Sequence, residues 1–264
     1  MAYKVLNNVS VKDVTSSDLL SLKTDLLVIV INKNTKDKVV NQLAKDVSSH
    51  LKESGSSVLV PNAKSFNAKN VLLVKGFQDS DQIHKLISMY QSIAQKGNQL
   101  KAKDISIMPG TVYPKGKCEM WLIEMVAKTI ESNVYIFSET CNKTAKKPSV
   151  KKLNILVSSL TKSDLIKAKN AAKKGYAIGE GVNSAKYLGD LPANHCTPRI
   201  IEKKVKAMTK DFPNLKVKSF NENQMKKMGM GSFLSVSRGS EEPARMMVIA
   251  VSYTHLTLPT KVTV

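Results

Sequence analysis

LLVIVI, Leu26–Ile31, is the stretch on which the fold turns. Six consecutive apolar residues, four of them β-branched, suit a strand buried on both faces. Such strands sit in sheets that carry helices on both sides. Outward from it, Val39, Leu43, Val47 and Leu51 recur every fourth residue, which predicts one face of a helix, with Gly55 as its stop. Val58–Val60 and Val71–Val74 read as two further strands. Ile83, Leu86, Ile87, Tyr90 and Ala94 make a second amphipathic helix. Ile105–Met108 is a strand closed by Pro109-Gly110. Met120, Ile123, Val126, Ala127 and Ile130 mark a third helix, and Val134–Phe137 reads as another strand. Strand–helix alternation of this kind predicts an α/β domain with a mixed or parallel sheet over residues 1–150.

The polar, basic stretch Asn142–Lys152 (NKTAKKPSVKK) contains Pro148 and no periodic apolar face, so it reads as a linker. A strand at Leu153–Val157 completes a connecting segment, 151–164. A long helix then starts near Ser163 or Asp164. Its periodic positions, among them Ala168, Ala172 and Ala185, are often small, so another element can pack closely on this face. Pro192 and Pro198 bracket a sharp turn. Beyond it the pattern predicts a helix at Arg199–Thr209, a strand at Leu215–Phe220, a short helix capped by Asn221 and ending at Gly229, and a strand at Met246–Ile249.

The 264-residue chain has a formal net charge of +20 and 42% hydrophobic residues. A basic balance permits nucleic-acid binding. Arginine, however, occurs only at Arg199, Arg238 and Arg245, and the charge is scattered rather than blocked. That pattern favours a solvated lysine surface over sequence readout. No apolar run approaches a membrane-spanning length, and MAYKVLNNVS lacks the apolar core of a signal peptide, so a cytoplasmic protein without membrane contact is expected. Cys118, Cys141 and Cys196 fit neither a redox pair nor a zinc knuckle and read as free thiols.

Taken alone, the residues name no reaction. Nucleophile-elbow, zinc-helix and phosphate-loop motifs are absent. Gly229-Met230-Gly231 follows a helix rather than a strand and reads as a helix stop. His195 beside Cys196, with Asp190 nearby, reads as a structural turn rather than a metal or thiol site. His50 and His84 read as surface histidines, and Glu241-Glu242, followed by Pro243, as a solvated loop.

Residue order says more. GVNSAKYLGDLPANHCTPRIIEKKV, Gly181–Val205, resembles the entry to the catalytic domain of the leucyl aminopeptidase family of metallopeptidases. There a long helix runs through a small-residue stretch into an N-x-P-x-N-x-x-T-P turn and a further helix. Pro192, Asn194, Thr197 and Pro198 fit that turn, and Asp190 stands where many relatives have Asn. A second match is MKKMGMGSFLSVSRGSEEPARMMVIAV, Met225–Val251, which carries the family's Met228-Gly229-Met230-Gly231 and Gly239-Ser240.

The resemblance implies a macrodomain-like N-terminal α/β domain (1–150), followed after 151–164 by the incomplete start of an α/β metallopeptidase catalytic domain (165–250). It implies removal of N-terminal amino acids, often leucine, from peptides by two divalent metals such as zinc or manganese, in a homohexamer. Some bacterial members also bind DNA, which gives a regulatory alternative. A macrodomain-like nucleotide binder is a third option, resting on fold analogy alone. The family's metal ligands and catalytic residues lie downstream of the last strand, the first ligands in a GKG segment this chain lacks. No catalytic, cofactor-binding or metal residue is therefore assigned, no bound metal is expected, and Asp190, His195, Glu241 and Glu242 are not promoted to fill the gap. The tail VSYTHLTLPTKVTV, Val251–Val264, resembles a translated transposase-type sequencing adapter, and residues 251–264 are expected to be non-native.

Overall fold

A computed structural model describes residues 4–32, 40, 45, 47–77, 83–110, 113–140, 147–158 and 160–252. They fall into two compact units that divide between Lys186 and Tyr187.

The first unit is built on a six-stranded sheet. Its strands are β1 (Asn8–Asp13), β2 (Thr24–Ile31), β3 (Ser57–Pro61), β4 (Ala68–Lys75), β5 (Asp104–Met108) and β6 (Lys152–Val157), in the order β1-β6-β5-β2-β4-β3. All neighbours run parallel except β3, which pairs antiparallel with β4 at the edge. LLVIVI lies in β2, with β5 on one side and β4 on the other, and Leu26, Leu27, Val28 and Ile29 are fully buried. Consecutive residues of one strand serve opposite faces. Leu26 and Val28 join a core with Leu72, Ile105, Ile107 and Ile155, whereas Leu27 and Ile29 join a second core with Val71, Leu73 and Leu156.

Helices α1 (Ser16–Ser21), α2 (Ile83–Gln99), α3 (Glu119–Val134) and α4 (Lys162–Asp190) complete this unit, α4 running on past its end. Sequence periodicity identifies α2, α3 and α4. It misses β1 and α1, whose start is set by a capping box in which Thr15 and Asp18 satisfy each other's backbone N–H. The helix expected over Val39–Leu51 lies largely outside the described residues, as does Cys141.

Two expectations are corrected. Val134–Phe137 forms no strand: Val134 ends α3 with its side chain fully buried, and the chain then leaves in a loop. The sheet position beside β5 is taken instead by β6, which pairs with β5 and β1. Leu153–Val157 is thus a strand of the first unit, not part of a connection between domains. The first compact unit runs on to Lys186. The small face of α4 lies directly on α3: a Cβ on Gly175 would stand 2.0 Å from the Glu124 carbonyl oxygen, and one on Gly179 2.7 Å from Glu131 Cβ. Only glycine lets these backbones approach so closely.

In the second unit, α5 (Pro198–Asp211) packs on a two-stranded antiparallel sheet of β7 (Leu215–Asn221) and β8 (Arg245–Val251). Two short helices, α6 (Glu222–Lys227) and α7 (Gly231–Ser237), lie between the strands in sequence. No helix among the described residues is long and apolar enough to cross a membrane.

Candidate functional site

The two motifs that carry the family resemblance occupy the end of α4, the turn after it, and the span from α6 to β8. After Asp190 the chain makes a single 3-10 turn, Ala193–His195, flanked by Pro192. Thr197 then caps α5, its hydroxyl accepting from the Ile200 N–H, and Pro198 stands at the first helical position, where no N–H is needed. Asn221 opens α6 with a second capping box, reciprocated by Gln224. Gly229 follows with φ +74°, the left-handed conformation that stops a helix.

Glu202 on α5 is the polar centre of the second unit. Its Oε1 accepts from Lys206 Nζ at 2.6 Å and from Ser219 Oγ on β7 at 2.7 Å. Its Oε2 accepts from Arg245 Nε on β8 at 2.8 Å. Lys206, Ser219 and Arg245 together hold the carboxyl down to about 2. Nearby, Glu222 Oε1 accepts from the Ala244 N–H, and Lys204 lies over the Tyr187 ring, 4.5 Å from its centroid. The Glu202 contacts to Ser219 and Arg245 fix the helix on the sheet. Sequence reading passes over Glu202, although its i,i+4 spacing to Lys206 and the scarcity of arginine could have flagged the pair it forms with Arg245.

The sequence candidates stay dispersed. Asp190, His195, Glu241 and Glu242 are exposed. Cys196 is half-buried, and its thiol donates to the Leu188 carbonyl at the end of α4, a structural role. His50 and His84 are exposed on the first unit. Among the described residues no three His, Cys, Asp or Glu side chains come together as a metal site. The donor set among the described residues therefore does not fit a two-metal centre.

The model of the cytosol aminopeptidase family, catalytic domain, matches residues 183–263. It begins at Asn183, within α4, covers the second motif and all but the first two residues of the first, and runs into the segment that resembles an adapter. A probable cytosol aminopeptidase of Vesicomyosocius okutanii is 32% identical over 235 residues, 88% of this chain and 46% of that protein. One of Azotobacter vinelandii is 30% identical over 250 residues, 89% of this chain and 49% of that protein. Over most of its length the chain is thus similar to members of the cytosol aminopeptidase family. It spans about half the length of the curated relatives it matches. Among solved structures, a tomato leucine aminopeptidase mutant superposes with a TM-score of 0.74 at 19% identity, over 97% of this chain and 52% of that one. The bottromycin maturation enzyme BotP in complex with Mn gives 0.65 at 16% identity, over 86% of this chain and 45% of that one. At these identities the superpositions establish the shared α/β fold.

Proposed function

We propose that this chain supplies the N-terminal α/β domain and the entrance to the catalytic domain of a metal-dependent aminopeptidase, whose full-length form removes N-terminal residues, leucine among them, from peptides. The observation that carries this reading is the coincidence of the family match, starting at Asn183, with the two ordered motifs Gly181–Val205 and Met225–Val251. Relatives named cytosol aminopeptidase, aligned over most of the chain, support it. The structural neighbour BotP is a complex with Mn, which supports divalent metal use by the full-length enzyme; a pair of manganese or zinc ions is part of the proposal. A cytoplasmic location and a homohexamer belong to the same proposal.

The 264-residue chain on its own is proposed to be inactive, because its described residues gather no metal-binding set. Hydrolysis of leucine-p-nitroanilide by the purified chain with added Mn²⁺ tests this. No metal-dependent turnover is expected, and appending the second half of an aligned relative should restore it. Clear metal-dependent turnover by the chain alone would overturn the proposal. The DNA-binding alternative rests on the net charge of +20. A gel shift at rising salt separates it: binding that vanishes at modest salt without sequence preference is lysine charge alone.

A further inference from the structure

Glu131, on α3, is fully buried, and its carboxylate faces the start of the chain. Oε1 accepts from the Val5 N–H and from Asn183 Nδ2, each at 3.0 Å, and Oε2 accepts from the Leu6 N–H at 3.0 Å. Asn183 Nδ2 also donates to the Glu131 carbonyl, and the Tyr176 hydroxyl donates to the Leu6 carbonyl at 2.7 Å. One corner therefore ties together three pieces of chain: the segment Lys4–Leu6, α3 and α4. The same corner has acceptors to spare. Glu180 Oε1 and Asn183 Oδ1, both from α4, are buried with no hydrogen-bond partner. Buried acceptors left unpaired are costly, so the cluster is short of a donor.

The charges that bear on Glu131 do not supply it. Glu180 adds a like charge, and the Tyr176 hydroxyl, hydrogen-bonded to Glu180, lies beside both carboxyls and is held protonated by burial and by those charges. Lys4 stands 3.5 Å from Glu180 Oε1 but is largely exposed. Lys186 is engaged with the Ser132 carbonyl. The other elements packed on α3, namely α2 and β6, contribute apolar side chains such as Met89, Ile93, Leu153 and Ile155. Oε2, with one N–H donor against two for Oε1, has room for a hydrogen.

We propose that Glu131 carries a proton in the folded protein, in a corner where α4 leaves two buried acceptors unpaired, and that this proton forms a latch on the segment Lys4–Leu6. Burial, with Glu180 alongside, pushes the Glu131 carboxyl above its ordinary value despite the three N–H donors. A proton held more tightly in the folded than in the unfolded chain stabilises this corner at low pH. That contribution is lost as pH rises through the raised value. Above it, two carboxylates share one dry site, and the Lys4–Leu6 segment loosens. Asn183, which anchors the latch on α4, is also the first residue of the family match.

Hydrogen exchange of the full chain across roughly pH 4 to 9, corrected for intrinsic rates, tests the latch. Protection of the Val5 and Leu6 amides should fall at least about tenfold through one single-proton transition, while Leu27 and Val28 in β2 keep theirs. E131Q removes the titrating group and should abolish the transition; its amide nitrogen cannot accept a backbone N–H, so protection at Val5 or Leu6 should be lower, but the same at every pH. E180Q removes the like charge and should move the transition to lower pH. Protection at Val5 and Leu6 that does not change with pH, or a transition that survives in E131Q, overturns the proposal. Should E131Q not fold, the midpoint in E180Q decides: a downward shift supports the latch, and an unmoved midpoint overturns it.

Discussion

Glu202 Oε2 accepts a hydrogen bond from Arg245 Nε at 2.8 Å, joining residues 43 positions apart and fastening α5 to β8. Both side chains are mostly buried, so the contact is worth more than an exposed pair.

The depressed Glu202 carboxyl makes a signed prediction. Its ionised form is favoured by folding, so its contribution is complete above the ordinary value of 4.5 and disappears as pH falls toward about 2. Acid unfolding of the second unit, followed by circular dichroism, should lie in that window. E202Q should flatten the dependence there and lower stability at neutral pH by about 1 kcal/mol.

The α3–α4 crossing predicts opposite signs for two similar substitutions. Gly→Ala inside a helix gains up to about 1 kcal/mol of helix propensity. At Gly181 a Cβ meets nothing within 4 Å, so G181A should be neutral or slightly stabilising. At Gly175 the Cβ would stand 2.0 Å from a backbone oxygen, which cannot swing aside. G175A should therefore lose about 1–3 kcal/mol by overpacking. Thermal melts of both variants check the contrast.

Removing a cap should act locally. N221A breaks the reciprocal hydrogen bonds with Gln224 at the start of α6 and should cost about 1 kcal/mol. The loss should appear in denaturant unfolding of the second unit and leave that of the first unchanged.

Limited proteolysis should remove the second unit first. Between Tyr187 and Ser252 the buried apolar side chains are Leu191, Met225 and Ala244, whereas Val236 is 87% exposed and Phe212, Met228, Phe233, Val248, Ile249 and Val251 are also exposed. So little buried apolar surface sustains little resistance to local unfolding. Trypsin should leave a core ending near Lys186. Equal resistance along the whole chain would contradict this.

The α/β class was legible because β2 is rich in β-branched residues and α2 and α3 keep the helical period, and both signals are local. Lineage was legible in the order of residues from Asn183 to Ser240, which needs no tertiary knowledge. The caps at Thr197 and Asn221 and the stop at Gly229 were readable for the same reason: each is decided by a few neighbouring backbone groups.

Other features depend on partners distant in sequence, and only the tertiary structure decided them. β6 fills the place beside β5 that Val134–Phe137 was expected to supply, because Lys152–Val157 pairs with β5 and, at the far end of the sequence, with β1. The division at Lys186 follows from Gly175 and Gly179 seating α4 on α3, a contact that no periodicity displays. Glu131 reads in the sequence as one more charge on a helix. Folding alone brings it against Val5, Leu6 and Asn183, where burial away from solvent makes its proton matter.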